Sequence, residues 1–225
     1  NRCRRQRQMC IRDSCLPVID KMFRKGNIYS VLDYSVEGKE GEDVFDQTVE
    51  KILNVIKFGD ERESIPYAVF KPTGFGRFSL YQKITEKKDL TVAEKTEWLR
   101  VKERFHKVCN IASQKSMPLL VDAEESWMQS AVDDLLEELM ETYNKEKPIV
   151  FNTLQMYRHD RMSYLKALNE RADKKSFHIG IKVVRGAYME KERKRAEEKN
   201  YLSPICENKK TTDDNYNDAI RYIME

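Results

Sequence analysis

Five short apolar runs separated by long amphipathic stretches set the limits on what this chain can fold into. The runs are IYSVLDYS at 28–35, YAVFKP at 67–72, PLLVDA at 118–123, PIVFNTLQ at 148–155 and IGIKVVRGAY at 179–188. Each is rich in Val, Ile, Leu or Phe and is short enough for a strand. Strands buried on both faces read this way, as in a parallel sheet covered by helices. Between them the apolar residues fall three or four apart. Val44, Phe45, Val49, Ile52, Leu53 and Ile56 form one stripe, and Trp98, Val101, Phe105, Val108 and Ile111 another. Further stripes run through Trp127, Val132, Leu135, Leu136, Leu139 and Met140, and through Leu165 and Leu168. A charged helix at 190–199 and the segment DDNYNDAIRYIM complete the pattern. These stripes predict helices that face a core.

Strict β–α alternation allows an open doubly wound sheet or a (β/α)8 barrel. A dinucleotide-binding sheet wants GxGxxG directly after its first strand. Here the first run exits into DYSVEGKEGED, and the GFGR at 74–77 follows the second run with the wrong spacing. The expectation is therefore an α/β fold, a distorted TIM-type (β/α)8 barrel of which five βα units are visible. A complete barrel would need about three more.

Composition narrows the function classes. Glycine is 8 and proline 6 of 225 residues, and no apolar run reaches the ~18 residues of a membrane span. The net charge of +3 comes from the first fourteen residues, which hold five arginines and one aspartate; without them it is −1. That balance carries no nucleic-acid footprint. Residues 1–14 are read as a non-native or disordered arm and 15–225 as the domain. Five cysteines without a CxxC pair suggest reduced thiols. The scattered His106, His159 and His178 give no zinc spacing, so no protein metal site is expected.

The ends of the five runs carry Asp33, Lys71, Asp122 with Glu124 and Glu125, Gln155, and Lys182 with Arg185. In a barrel, strand C-termini converge on one mouth. Lysines and an arginine facing carboxylates there suit an anionic, partly polar small molecule. Taken singly, each of these charges also fits a strand cap paired with its loop. Gly186 and Ala187 at a strand exit allow close approach of a flat ligand, or a tight turn into the next helix. The PTGFG segment at 72–76 is open in the same way, as a turn or a ligand wall.

FKPTGFGR, PLLVDAEESWMQ, IVFNTLQMYR and KVVRGAYMEKERKRA, taken together and in this order, resemble proline dehydrogenase, and SVLDYSVEGKE matches the entry strand of its single-function members. The likeness covers roughly residues 15–225. It implies a barrel that binds FAD and oxidises L-proline to Δ1-pyrroline-5-carboxylate by hydride transfer from C5 to flavin N5, with a quinone as electron acceptor. By position, Lys71 matches the lysine that meets the proline carboxylate, Asp122 the pocket aspartate, and Tyr188 the tyrosine that walls the pocket. Gln155 matches the flavin-contacting glutamine, and Lys182 the basic residue beside N5. Arg185, Gly186 and Ala187 match the stretch lying along the cofactor. The resemblance also implies a bacterial cytoplasmic or mitochondrial matrix enzyme with peripheral membrane contact.

The chemistry agrees with those roles. A lysine can anchor the carboxylate and fix C5. Hydride loss from C5 needs the ring-nitrogen lone pair, and a partly desolvated pocket with nearby cations disfavours the ammonium form. Two rivals stand beside this reading. One is a Schiff-base aldolase or transaldolase using Lys71 or Lys182 with Asp122. The other is a catalytically silent truncated paralogue acting as a binding module. The family's late helix with paired arginines has no counterpart here, so the chain is expected to be a fragment. Such a fragment alone should neither fold stably nor turn over proline, and cooperative unfolding with proline-dependent dye reduction by these 225 residues would contradict that.

Overall fold

The computed structural model describes residues 15–33 and 40–225. The arm at 1–14 and the end of the first apolar run, at 34–35, lie outside the described residues. All five runs supply strands of one sheet: β1 (Leu32–Asp33), β2 (Ala68–Phe70), β3 (Leu119–Val121), β4 (Val150–Gln155) and β5 (Ile181–Val184). Every neighbouring pair is parallel, and the spatial order is β1-β2-β3-β4-β5. A doubly wound sheet needs a point where the order reverses, because its helices cover both faces. Here the order never reverses, which is the barrel pattern of successive right-handed crossovers.

The helices are α1 at 15–26, then α2 (Glu42–Asp60), α3 (Phe78–Thr85), α4 (Val92–Gln114), α5 (Ser126–Tyr143), α6 (Arg161–Lys175), α7 (Met189–Lys199) and α8 (Lys209–Met224). The stripes read from sequence become the core. Val49, Ile52 and Ile56 of α2, Val101, Phe105 and Val108 of α4, and Val132, Leu135 and Leu136 of α5 pack on Ala68, Phe70, Leu119, Val121 and Val150. A fully buried Leu or Ile contributes about 1.5–3 kcal/mol, so this face dominates stability. Because strand side chains alternate, the intervening residues Leu120, Phe151 and Lys182 point to the other face and are only partly buried.

Helices α1 and α3 are absent from the sequence-based expectation. α3 is 8 residues long with no side-chain cap, too short for a clear stripe. It is fixed from outside: Phe78 meets Trp127, Tyr81 meets Trp98, and Ala131 N donates to Thr85 Oγ1 at 3.0 Å. The PTGFG segment proves to be a packed turn. Pro72–Gly74 form a 3-10 turn, and Tyr81 Oη donates to Pro72 O at 2.8 Å. Phe75 stacks on Phe70 at 4.5 Å, and Arg104 Nη1 donates to Phe75 O at 3.1 Å.

Polar contacts hold the strands in register. Asn144, fully buried after α5, accepts from Ile149 N and Val150 N at 2.9 and 2.8 Å. Its amide donates to Val150 O and His178 O, both at 2.9 Å. One side chain thus ties the entries of β4 and β5 to α5. On the helix side of β4, Asn152 Nδ2 donates to Asp133 Oδ1 at 2.8 Å, and Arg161 Nη1 meets Asp133 Oδ2 at 2.8 Å.

Asn144→Ala would strand three buried backbone groups and the carbonyl of the exposed His178 near the strand entries. The expected loss is about 3 kcal/mol, which for a domain of this size is a fall of roughly 6–12 °C in the thermal midpoint. Thermal denaturation followed by circular dichroism measures it, and a shift under about 2 °C would show that water replaces the amide.

Candidate active site at the carboxyl ends of the strands

Register determines which strand-end residues meet. Phe70 pairs with Val121, and Val121 with Asn152. One residue further along, Lys71, Asp122 and Thr153 are level, and Thr153 pairs directly with Lys182. All four stand on the face turned away from α2, α4 and α5. Contact across the row is direct: Lys182 Nζ donates to Asp122 Oδ1 at 2.6 Å, passing over β4. Thr153, nearly buried between them, donates its hydroxyl to Val121 O at 2.7 Å. The two charged side chains keep 31% and 20% exposure, so the pair is accessible from one side.

The next layer is formed by Gln155 and the loops. Gln155 is buried; its Nε2 donates to Glu124 O at 2.7 Å, and its Oε1 accepts from Ala187 N at 3.4 Å. A single amide therefore spans the loops after β3 and β5. Glu124 is buried as well and accepts from Thr73 N at 3.1 Å and Thr73 Oγ1 at 2.9 Å. Burial raises its carboxyl above the usual range, although the Thr73 donors and the charge of the nearby Lys71 oppose the shift. Lys71 itself is half-buried, on extended backbone just before the 3-10 turn.

After β5 the chain runs over Tyr157. Tyr157 N donates to Arg185 O at 2.7 Å, extending the β4–β5 pairing. Gly186 has φ +132°, and a Cβ there would stand 2.5 Å from the Tyr157 ring. Glycine is thus required twice at this position, by backbone angle and by the ring beneath it. Residues 185–187 are exposed, and Gly186 and Ala187 offer main chain with almost no side chain above it. Tyr188 is half-buried at the start of α7, with Lys191 Nζ 5.3 Å from its ring centroid.

Seven of the eight residues singled out from sequence lie along this edge, and Asp122 with Lys182, and Gln155 with Ala187, are in contact. Arg185 differs, because its guanidinium turns to α8: Nε donates to Asp213 Oδ1 at 2.6 Å, and the group stacks 4.4 Å from the Tyr216 ring centroid. Sequence reasoning gave no role to Thr73, Thr153 or Tyr157. Thr153 carried a usable signal, being a polar residue at a site-facing parity within an apolar strand. Among the described residues no group of His, Cys, Asp or Glu is arranged to hold a metal. Cys15, Cys109 and Cys206 are free thiols.

The exposed main chain at Gly186 and Ala187, held from below by Gln155 through the Ala187 amide, is the part of this edge that could take a flat group. A small anionic substrate fits the Lys71 side of the same row. Comparisons with known proteins give the family and the fold. A family model described as proline dehydrogenase matches residues 15–225. The chain is 34% identical over 199 residues to the carbapenem antibiotics biosynthesis protein CarD of Pectobacterium carotovorum subsp. carotovorum, covering 88% of this chain and 52% of that protein. It is 36% identical over 156 residues to mitochondrial proline dehydrogenase 2 of Arabidopsis thaliana, covering 68% and 33% respectively. The proline utilization A (PutA) structure from Bdellovibrio bacteriovorus matches with a TM-score of 0.77 at 21% identity, over 94% of this chain and 23% of that one. The fold is the TIM-barrel-like one of those structures. The chain spans about half the length of the first relative and less of the others.

Gly186→Ala would force a Cβ onto the Tyr157 ring and is expected to cost about 1–3 kcal/mol. Part of that cost is steric, so the double variant with Tyr157→Ala should be less destabilised than the sum of the singles. Urea unfolding of the four proteins measures the coupling. Strict additivity would mean that the ring does not hold the turn.

Proposed function

The chain belongs to the proline dehydrogenase family, and on that premise we propose that its protein oxidises L-proline to Δ1-pyrroline-5-carboxylate with FAD. The observation that carries the reading is the level row of Lys71, Asp122 and Lys182 beside the bare main chain at Gly186 and Ala187. FAD, when bound along Gly186 and Ala187 with Gln155 holding the Ala187 amide, would supply the two-electron oxidising power for the C5–H bond.

This chain's residues bind, orient and polarise. The Lys71 ammonium attracts the proline carboxylate and so directs C5 of the ring. Lys182, pinned by Asp122 at 2.6 Å, holds positive charge where negative charge develops during oxidation. Because the pair is preorganised, little reorientation is needed when that charge appears. The same cations disfavour a protonated ring nitrogen, which favours the neutral amine that the oxidation requires. Tyr188 closes the side of the substrate space, and Gln155 keeps the Ala187 amide in place. Transfer of the electrons to a quinone, with peripheral membrane contact, follows from the family resemblance. No helix among the described residues is long and apolar enough to cross a membrane. Relatives named as mitochondrial enzymes support a mitochondrial location if the source is eukaryotic; the matrix there, or the cytoplasm of a bacterium, follows from the family resemblance alone.

The Schiff-base alternative is disfavoured by the same pair. An imine-forming lysine must be a neutral nucleophile, whereas Lys182 is engaged with a carboxylate across the sheet.

In the complete native protein, L-proline should bleach the visible band of bound FAD, and borohydride with a keto substrate should trap nothing. Lys182→Met is expected to lower the flavin potential and slow reduction. An unchanged potential and rate would remove the role given to Lys182. Lys71→Met should raise KM for proline by about tenfold or more, in line with loss of a charge-assisted contact. A KM within a factor of two or so of the native value would place the carboxylate elsewhere.

A further inference from the structure

Helix α5 begins directly after the VDAEE segment and carries an unusual cap. Its N-cap residue, Glu125, makes no side-chain cap hydrogen bond. The cap comes instead from another helix. Glu192 of α7 is fully buried, and its Oε1 accepts from Ser126 N while its Oε2 accepts from Ser126 Oγ, both at 2.6 Å. A carboxylate at a helix N-terminus gains from the unpaired N–H groups and from the helix dipole, which offsets the cost of burying it.

Glu192 reaches in the other direction too. Burial raises the Tyr157 phenol well above its ordinary range, and the negative charge of Glu192 adds to that shift. That ring is the floor under Gly186. The Glu192 amide donates to Tyr188 O at 2.9 Å, so the residue sits one turn past the arc at 185–188. Two contacts run alongside: Lys191 Nζ donates to Glu125 Oε1 at 2.9 Å, and Arg195 lies 4.6 Å from the Trp127 ring centroid. Both are more exposed than the Glu192–Ser126 contact and bear less of the constraint.

We propose that Glu192 is a positioning residue that locks the arc 185–188 against the Asp122–Glu125 loop, setting the distance between the bare main chain and the Lys182–Asp122 pair. The proposal rests on the flavin-binding reading of that arc. Glu192 is a positioning residue only, and it acts through Ser126 and through the first turn of α7 that begins at Tyr188. Geometry makes the requirement specific. Glutamine can accept from Ser126 N through Oε1 and donate to the Ser126 hydroxyl through Nε2. Aspartate is one methylene too short to reach both.

The test uses the complete native protein and compares wild type, Glu192→Ala, Glu192→Gln, Glu192→Asp and Ser126→Ala. Leu139→Ala, at a fully buried core position of α5, serves as a destabilised control away from the strand ends. Binding of FAD to apoprotein is read from the quenching of its fluorescence, alongside KM and kcat for proline and the thermal midpoint. Glu192→Ala and Glu192→Asp should weaken FAD binding about tenfold or more, since misplacement from outside the site is costly. Glu192→Gln should stay within about threefold of wild type, and Ser126→Ala should fall between. The control should lose thermal stability without a comparable change in FAD affinity. Native affinity in Glu192→Ala, or an equal loss in Leu139→Ala, would overturn the proposal. If Glu192→Ala does not fold, Ser126→Ala decides, and native affinity in that variant overturns it. Failure of the wild-type protein to bind FAD would instead remove the reading beneath it.

Discussion

The ion pair between Lys182 and Asp122 crosses over β4, so its existence depends on the register of three strands at once. Period-two alternation makes register an all-or-nothing matter: a slip of one residue in β5 would send Lys182 into the helix layer and bring Ile181 or Val183 to the site face. Apolar packing alone guards weakly against this in β5. Its four residues are all only partly buried, and it pairs on one side among the described strands. Polar contacts supply what packing does not. Asn144 fixes the entry of β4 and His178, three residues before β5, to the same side chain, and Gln155 fixes the exit loops. The site row is thus clamped at both ends of the strands that form it.

These clamps differ in their energetics. The Asn144 amide replaces water bond for bond at four neutral groups, so its net gain is modest while its removal is expensive. The Asp133–Arg161 pair is a largely buried charge contact with both side chains under 10% exposed, joined by Gln129 and Asn152. Such pairs add little over a well-packed apolar alternative, yet removing one partner costs about 3–5 kcal/mol. Their consequence is geometric: α5, α6 and β4 have one mutual arrangement in which both carboxylate oxygens of Asp133 are met. Since α5 starts at the Asp122 loop and α6 follows β4, that arrangement carries directly to the strand ends.

Much of this was legible in the residues. Continuous apolar runs such as PLLVDA and PIVFNTLQ announce buried parallel strands, and the stripes of α2, α4 and α5 announce the layer that buries them. The site residues were legible because strand exits in such a fold face one edge. Helices α1 and α3 were not, because α1 contributes Ile19 alone to the fully buried set and α3 has too few turns for periodicity to appear. Asn144 and Glu192 were invisible for a different reason. Each looks like an ordinary polar residue in a polar stretch, and its meaning lies in partners 34 and 66 positions away.

Strand parity also separates two basic residues that sequence alone groups together. Lys182 and Arg185 stand three apart, and in a strand an odd spacing places two side chains on opposite faces. Lys182 shares its face with Val184, whereas Arg185 continues the side of Val183, which packs toward α8 with Tyr216. The Arg185 guanidinium accordingly finds Asp213 and the Tyr216 ring instead of the Lys182–Asp122 pair. The RGA segment therefore meets the site edge through its main chain and two nearly absent side chains, while its arginine ties the exit of β5 to α8. A cation at 185 strengthens the scaffold around the arc, and the cation at 182 is the one the row presents to a ligand.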